Sequence, residues 1–251
     1  MFTEERFNII ISELDKKGMI SVTDLVKILN ASESTVRRDL NSLHKAGRLK
    51  KIHGGAISIG ESSSRYDYKV NVRESLNVDE KREIAKYAAS LIEYGDIIYI
   101  DAGTSTQFLI DFIEAENITV VTNGIVHAKK LLEKGVKTFI IGGEIKECTE
   151  AIIGSNAVQD LKKYNFSKGF FGSNGVSNKN GYTTPDMNES MVKAEAMKRC
   201  NKAFVLADSS KLEKVSFATF GEIKDATLII HKIKDNTIKY DTNVIEVEKN
   251  D

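Results

Sequence analysis

The first 60 residues show apolar positions with the spacing of short amphipathic helices. Apolar residues recur at i, i+3, i+4 and i+7 across residues 7–14 and again across residues 22–29, which is the pattern of one buried helical face. Gly18 predicts the end of the first helix. A third helix is predicted over 32–46, where Gly47 ends it. The pattern therefore predicts three short helices at the start of the chain.

The segment after the third helix has the pattern of a small β-hairpin. The stretches RLKKI at 48–52 and AISI at 56–59 flank His53 and two glycines, which is a strand, turn, strand signal. Three helices followed by a small hairpin are the plan of a winged helix-turn-helix. We predict that domain over residues 1–59.

The pattern changes after residue 60. A Gly/Ser-rich start and a polar continuation predict a linker over 60–78. Over 79–251, short apolar runs alternate with amphipathic helices, which predicts an α/β domain with a mainly parallel sheet covered on both faces. The predicted strands lie near 97–100, 118–121, 137–141, 168–172, 203–207, 226–230 and 243–247, and the predicted helices near 80–93, 105–114, 124–134, 155–163 and 187–200.

Charge is unevenly distributed over a chain whose formal net charge is zero. Residues 35–53 carry six Lys or Arg against the single acid Asp39. A basic patch on an otherwise neutral chain indicates an anionic partner at one end, although a solvated charged face would give the same count. Charged residues make up 29% and hydrophobic residues 41% of the chain, which excludes a fully disordered protein.

Several classes of protein are not indicated. No apolar run approaches the roughly 18 residues that span a bilayer, and no secretory signal is visible at the start. Cys148 and Cys200 lack a CxxC pair, which argues against a disulfide framework or structural zinc. His127 and His231 lack partners at ligand spacing and are expected to be structural. We expect a cytoplasmic protein without membrane contact, metal or cofactor.

The third helix has a face suited to reading DNA. Val36, Leu40 and Leu43 form its buried stripe, and polar side chains lie opposite. In a helix-turn-helix, the N-terminal part of the second helix of the motif enters the major groove. Asp39 falls near the buried edge and is expected to orient an arginine or a backbone group. An exposed polar face without a ligand remains the alternative. The candidate contacts to double-stranded operator DNA are Ser32, Ser34, Thr35, Arg37, Arg38, Asn41 and Lys45 on the helix and Lys50, Lys51 and His53 on the hairpin.

These residues resemble a known family. The motif RxxxIxxxL at 6–14, followed after 17 residues by SxxTVRRDL at 32–40, is similar to the N-terminal signature of the DeoR family of bacterial transcription regulators. The sequence IHGGA at 52–56 is similar to that family's wing. The resemblance covers nearly the whole chain. It implies a winged-helix repressor whose larger C-terminal domain resembles sugar-phosphate isomerases and deaminases and binds a sugar phosphate.

Strand ends of the α/β domain carry candidate ligand groups. The loop DAGTST at 101–106 follows a predicted strand and opens a helix, so its hydroxyls and free N–H groups make an anion site. A helix N-cap after a buried strand is the alternative. Small or polar residues also follow the next two strands, and ligands of open α/β sheets bind outside the carboxyl ends of strands. The candidate effector residues at these ends are Asp101, Gly103, Thr104, Ser105, Thr106, Asn123, Gly142 and Gly143.

Three further effector residues follow from the resemblance. On spacing alone, Glu189 and Lys193 favour a surface ion pair at i and i+4. The stretch from 183 to 193 resembles one that lines the family's effector pocket, which implies that Lys193 contacts phosphate or sugar. The segment DSSK at 208–211 is also similar to the family. It implies that Asp208 accepts sugar hydroxyls and that Lys211 contacts phosphate.

We therefore expect a transcriptional repressor of a sugar-utilisation operon, controlled by a phosphorylated sugar. The stretches 142–154 and 174–186 resemble those of fructose-operon repressors, which implies fructose 1-phosphate. Tagatose 6-phosphate and other phosphorylated ketoses are the alternatives. One small DNA-binding domain makes too few base contacts for a specific site, so a homodimer or a higher homo-oligomer is expected.

Two other interpretations stay open at this point. The α/β domain could be a sugar-phosphate isomerase or deaminase, with Asp101, Glu144 and Lys193 as acid or base. Such an enzyme does not need a DNA-binding head, so we expect no enzymatic activity. Alternatively, the α/β domain only dimerises the protein. The hydroxyl-rich strand ends count against that interpretation.

Overall fold

The computed structural model describes residues 2–52, 54–58, 73–231 and 239–248. The chain divides into two compact units, Met1–Leu76 and Asn77–Asp251. His53 and most of the predicted linker lie outside the described residues.

Within residues 2–52 and 54–58, the first unit is a winged helix-turn-helix with three helices, as predicted. Gly18 ends the first helix and Asn30 the second, both in the left-handed conformation. Ser21 caps the second helix by accepting a hydrogen bond from the Asp24 amide. The elements are α1 (Thr3–Lys17), β1 (Met19–Ser21), α2 (Val22–Leu29), α3 (Glu33–Lys45), β2 (Lys50–Ile52) and β3 (Gly55–Ile57).

The wing contains a strand that the sequence pattern did not predict. β1 and β2 both pair antiparallel with β3, which gives the order β1-β3-β2. β1 has three residues and merges into the start of α2, so it is too short to show an alternation of its own. Gly55 is required in β3 because a Cβ there would collide with the carbonyl oxygen of Ile20. The wing is thereby fixed to the helices through β1.

The second unit is an α/β domain around a seven-stranded sheet, and each neighbouring pair of strands is parallel. The predicted fold class is confirmed. Its α-helices are α4 (Val78–Ser90), α5 (Thr104–Asp111), α6 (Ile125–Glu133), α7 (Ser155–Leu161) and α8 (Met187–Lys198). The strands, in spatial order, are β15 (Val244–Val247), β14 (Thr227–His231), β12 (Cys200–Ala207), β9 (Phe166–Gly172), β4 (Ile97–Ile100), β5 (Thr119–Thr122) and β6 (Lys137–Ile140).

Strand side chains alternate between two cores, one on each face of the sheet. Ile98 and Ile100 pack with Leu109 of α5, whereas Tyr99 between them packs with Val192 of α8. Burial on both faces explains why the strands of this domain are continuous apolar runs. In the described part of the chain, no helix combines the length and apolar character needed to cross a bilayer.

The strand order reverses between β4 and β9. From β4 the chain adds β5 and β6 on one side, and from β9 it adds β12, β14 and β15 on the other. Such a reversal is a topological switch point, where the connections leave in opposite directions and open a crevice at the carboxyl ends of the strands. The loop 101–106 follows β4 at this point.

Five short strands outside the main sheet were not predicted. β7 (Glu144–Lys146) and β8 (Ala151–Ile153) form a hairpin, and β10 (Gly175–Ser177), β11 (Gly181–Thr184) and β13 (Ala218–Gly221) form an antiparallel sheet. Each has only three or four residues, so periodicity does not mark them. They nevertheless carry residues that contact the candidate site.

Candidate functional site

A buried ion pair holds α3 against α1. Arg6 donates from Nε to Asp39 Oδ2 at 2.6 Å and from Nη2 to Oδ1 at 3.0 Å. Asp39 is 3% exposed, and paired planar groups of this kind are geometrically specific. The prediction that Asp39 orients an arginine is confirmed. The pair fixes the orientation of α3 and so of its exposed face.

The outer face of α3 is polar and exposed, as the helical wheel predicts. Ser34, Arg38 and Lys45 are exposed. Ser32 is the N-cap residue, because its hydroxyl oxygen accepts from the Thr35 amide at 3.3 Å. Ser32 and Ser34 lie at the start of the helix, so its first turn is exposed, which is the geometry that base and phosphate contact requires.

Two candidate DNA contacts on α3 are paired within the protein. Arg37 donates to Glu33 Oε1 from Nε at 2.9 Å and from Nη2 at 2.6 Å, one turn earlier on the same helix. Lys51 of β2 donates to Asn41 Oδ1 at 2.7 Å. The second contact ties the wing to α3. The Arg37–Glu33 contact is an exposed ion pair and therefore weak, so DNA phosphate can compete for Arg37.

Asp101 and Lys193 meet at the switch point of the sheet. Lys193 Nζ of α8 donates to Asp101 Oδ2, just after β4, and to the carbonyl oxygen of Gly172 at the end of β9, 3.1 Å away. The Gly172 amide donates to the same carboxylate oxygen at 3.0 Å. Asp101 is 0% and Lys193 5% exposed. Two strand ends and a helix therefore converge on one buried ion pair.

One oxygen of Asp101 is left without a partner. Its Oδ1 is buried and has no hydrogen-bond partner among the described residues. Complete burial raises the pKa of Asp101, and the contact with Lys193 partly offsets that rise. A buried acceptor without a donor is costly, and a ligand hydroxyl placed here would satisfy it.

The loop before α5 combines available hydroxyls with a helix N-terminus. Thr104 and Ser105 are each 8% exposed. No side-chain hydrogen bond involves either residue within the described part of the chain. The first-turn amides of a helix lack intrahelical partners and favour anions. Gly103 precedes them as the N-cap and offers no side-chain cap.

Thr106 and His127 hold this loop in place through hydrogen bonds. Thr106 Oγ1 lies 2.5 Å from the carbonyl oxygen of Asp101 and 3.1 Å from His127 Nε2. His127 Nε2 is also 3.1 Å from the carbonyl oxygen of Gly103. Burial lowers the pKa of His127 to about 4, so the ring is neutral at physiological pH. These contacts give both side chains a structural function in the loop.

Asn123 links the loop to the β7–β8 hairpin. Its Oδ1 accepts from the Ala102 amide at 2.8 Å, and its Nδ2 donates to the carbonyl oxygen of Ile152 at 3.2 Å. Gly142 instead donates its amide to Asp160 of α7 at 2.9 Å. Gly143 is required by close packing, since a Cβ would lie 2.8 Å from a side-chain carbon of Ile152. The effector role of these positions stays a prediction.

Glu189 does not form the surface ion pair with Lys193 that spacing alone favours. It is 6% exposed and accepts from Thr149 of the hairpin loop at 2.8 Å and from Thr184 of β11 at 3.1 Å. Lys146 lies 3.5 Å from it. The prediction from spacing was wrong because Glu189 and Lys193 are both buried, and each binds residues that are distant in sequence. Glu189 lies close enough to raise the pKa of Asp101 slightly.

Asp208 lies after β12 at the same edge of the sheet. It is 2% exposed, and its Oδ1 accepts from Asn77 Nδ2 at 2.7 Å and from the Ser210 amide at 3.0 Å. Burial opposes its ionisation, but Lys211, Ser210, Lys81 and Asn77 together hold the pKa of Asp208 below its ordinary value. Asp208 is therefore an ionised acceptor at neutral pH.

The two units define a DNA-binding regulator with a separate sensor domain. Residues 6–62 match the family model of the DeoR-like helix-turn-helix domain, and residues 76–232 match that of the DeoR C terminal sensor domain. The chain belongs to the DeoR family of transcriptional regulators, as its motifs predict.

Similar proteins agree with this assignment. The chain is 43% identical over 230 residues to the uncharacterized HTH-type transcriptional regulator FruR of Bacillus subtilis (strain 168), covering 91% of each protein. It is 36% identical over 256 residues to the lactose phosphotransferase system repressor of Staphylococcus aureus (strain NCTC 8325 / PS 47), covering 98% of this chain and 100% of that protein. Both are named as regulators and neither as an enzyme. Among solved structures, ribose 5-phosphate isomerase A of Methanocaldococcus jannaschii is similar over 55% of this chain and 56% of that one, with 18% identity and a TM-score of 0.42.

Proposed function

We propose that this protein represses a sugar-utilisation operon, and that a phosphorylated sugar controls its binding to the operator. Fructose 1-phosphate is the effector that the sequence resemblance favours. The effector binds at the carboxyl ends of β4, β5, β9 and β12. The names of the two relatives, a FruR-type regulator and a lactose phosphotransferase system repressor, support a sugar-linked operon as the target.

The Asp101 oxygen that lacks a hydrogen-bond partner among the described residues carries this proposal. A buried carboxylate oxygen without a donor is costly in a purely structural role and useful in a site that receives a hydroxyl. Asp208, whose pKa is held below its ordinary value, supplies an ionised acceptor at the same edge. Sugar hydroxyls are donors of the required kind, so two carboxylates at one edge suit a polyol better than an apolar ligand.

The phosphate group has a matching set of donors. Thr104 and Ser105 hydroxyls, the first-turn amides of α5 and the ammonium groups of Lys193 and Lys211 are the groups that bind phosphate in proteins. The hydroxyls of Thr104 and Ser105 are available to a ligand, because Thr106 and His127 form the internal hydrogen bonds of the loop. The effector therefore leaves the loop intact when it binds.

On the DNA side, α3 is the recognition helix. Ser34, Thr35 and Arg38 are the residues that contact base edges, and Lys50 and Lys51 contact phosphates. A homodimer reads two half-sites with two such helices. Effector and operator then change each other's affinity by a common factor.

Fluorescence anisotropy tests the proposal directly. Labelled DNA from upstream of the gene is titrated with full-length protein at fixed salt, with fructose 1-phosphate, tagatose 6-phosphate, unphosphorylated fructose or inorganic phosphate. A shift of the binding curve by one phosphorylated sugar, and not by fructose or phosphate, is the expected result. Specific DNA binding that none of these compounds alters would contradict the effector proposal.

Matched variants connect the response to the site. Asp101→Asn keeps the shape and removes the charge, and we expect it to weaken effector binding about 10-fold or more while the protein still binds DNA. Asp111→Asn, at the other end of α5, is the control and leaves effector binding unchanged. Ser105→Ala tests the phosphate side without touching the buried ion pair. Unchanged effector affinity in both Asp101→Asn and Ser105→Ala would place the effector elsewhere.

A further inference from the structure

The first turn of α4 is bonded to the turn that follows β12. Asn77 Nδ2 donates to Asp208 Oδ1 at 2.7 Å. Glu80 accepts from the amide of Ser209 at 2.8 Å and from its hydroxyl at 2.9 Å. Lys81, one residue further on, is 4% exposed and acts electrostatically on Asp208. Contacts from Asn77, Glu80 and Lys81 therefore join two segments that are about 130 residues apart.

Asn77 is not used as an ordinary helix cap. It occupies the N-cap position of α4, but its side chain does not form the capping hydrogen bond of that helix. Its backbone has φ 50° and ψ 41°, a left-handed conformation that asparagine tolerates better than most residues. An asparagine at an N-cap normally accepts from the helix amides. Here the side chain donates to a buried carboxylate instead.

The place of Asn77 in the chain gives this contact its significance. The second compact unit begins at Asn77, and the match to the sensor-domain model begins at residue 76. The chain that arrives from the DNA-binding unit therefore enters the sensor domain at the residue that holds Asp208. Asp208 is one of the carboxylates that we assign to the effector site.

We propose that Asn77 is a positioning residue of the effector site, which orients the Asp208 carboxylate toward the sugar and couples occupancy of the site to the DNA-binding unit. This inference rests on the proposed function. Asn77 and Ser210 hold Oδ1 of Asp208 and so set the direction of the carboxylate. A ligand that engages Asp208 changes the strength of the Asn77 contact, and the entering chain is the part of the sensor domain that responds.

The substitution Asn77→Asp tests this assignment in the full-length protein. Aspartate has nearly the same shape and tolerates the left-handed backbone, but it cannot donate and it repels Asp208. The matched control is Asn117→Asp. Asn117 also has a left-handed backbone (φ 58°), but it precedes β5 and so lies at the amino ends of the strands, away from the candidate site. Effector affinity is measured by calorimetry with fructose 1-phosphate, with and without operator DNA.

We expect Asn77→Asp to weaken effector binding about tenfold, which is the loss of one hydrogen bond to a charged group. The factor by which the effector changes DNA affinity should fall toward one, while DNA affinity without effector stays the same. A purely structural residue would lower the unfolding temperature without changing the coupling factor. Asn77→Gly, which removes the side chain and relieves the backbone, should show the same loss of coupling if Asn77→Asp folds poorly.

The outcomes separate the two proposals. If wild-type protein responds to the effector and both Asn77 variants keep the wild-type affinity and coupling factor, the role of Asn77 is refuted and the proposed function stands. If wild-type DNA binding does not respond to any phosphorylated sugar, the proposed function fails, and the role of Asn77 fails with it. Equal loss of coupling in Asn117→Asp would also refute a specific role for Asn77.

Discussion

Replacing Lys193 by methionine removes the one basic side chain that pairs with Asp101 in the described part of the chain. The two side chains form a direct ion pair at the switch point, and Asp101 is 0% exposed. Methionine retains most of the length of the lysine stem. The variant therefore leaves a buried carboxylate with the Gly172 amide as its remaining donor in the described structure.

The expected cost follows from this burial. Breaking a buried ion pair by removing one partner costs about 3–5 kcal/mol, because the remaining charge is uncompensated. In a domain of this size, that corresponds to a fall of about 6–20 °C in the midpoint of thermal unfolding. Replacing both partners, as in Asp101→Asn with Lys193→Met, removes the buried charge. The double variant should therefore be more stable than Lys193→Met alone.

The loss should depend on pH in a defined direction. Burial already raises the pKa of Asp101, and loss of Lys193 raises it further. Folded protein then keeps a proton that the unfolded chain releases above about pH 4. Stability falls as pH rises whenever the folded state binds more protons. The difference between Lys193→Met and wild type should be larger at pH 8 than at pH 5.

Urea unfolding followed by far-UV circular dichroism measures these differences, since the chain contains no tryptophan. Lys163→Met is the control: its ion pair with Asp160 measures 2.7 Å, but the lysine side chain is 72% exposed, so no measurable change is expected. A loss below about 1 kcal/mol for Lys193→Met at pH 8 would refute the buried ion pair. A double variant less stable than the single one would refute it as well.

Three further predictions concern the first unit. Arg38→Ala should weaken specific operator binding by about 1–3 kcal/mol if Arg38 contacts a base, and unchanged operator affinity in anisotropy would remove it from the recognition face. Lys50→Ala or Lys51→Ala should each reduce the slope of log affinity against log salt by about one, and an unaltered slope would mean that the wing does not reach phosphate. Asp39→Ala should lower the unfolding midpoint of the first unit because it removes the ion pair that joins α1 to α3, which calorimetry checks against wild type.

The local pattern of apolar residues predicted the amphipathic helices and the continuous apolar strands. The three helices of the first unit, the hairpin and the seven strands of the main sheet agree with their predicted positions within a few residues. The loop 101–106 could also be identified, because a polar, glycine-containing segment directly after a buried strand marks the carboxyl edge of a parallel sheet. These features depend on residues close together in sequence.

The remaining features depend on contacts between residues far apart in sequence. Glu189 is bonded to Thr149, 40 positions away, so its i and i+4 relation to Lys193 was misleading. Asn77 meets Asp208 at a separation of 131 residues, and no local pattern marks it. Gly172 lies at the end of the predicted strand 168–172, but its function as a backbone partner of the ion pair requires the pairing of β9 with β4.

The ion pair at the switch point has a consequence for selectivity. Lys193 is already neutralised by Asp101, so an isolated phosphate ion gains little from it and must compete with a carboxylate. A free sugar gains the Asp101 and Asp208 acceptors but leaves the α5 N-terminus and its hydroxyls unused. At the proposed site, a sugar phosphate would engage both sets at once, and its hydroxyl would satisfy the Asp101 oxygen that lacks a partner among the described residues. Tight binding would then require a phosphate group and sugar hydroxyls in the same molecule. That is the selectivity that a sensor of a phosphorylated sugar needs in the presence of abundant phosphate and free sugar.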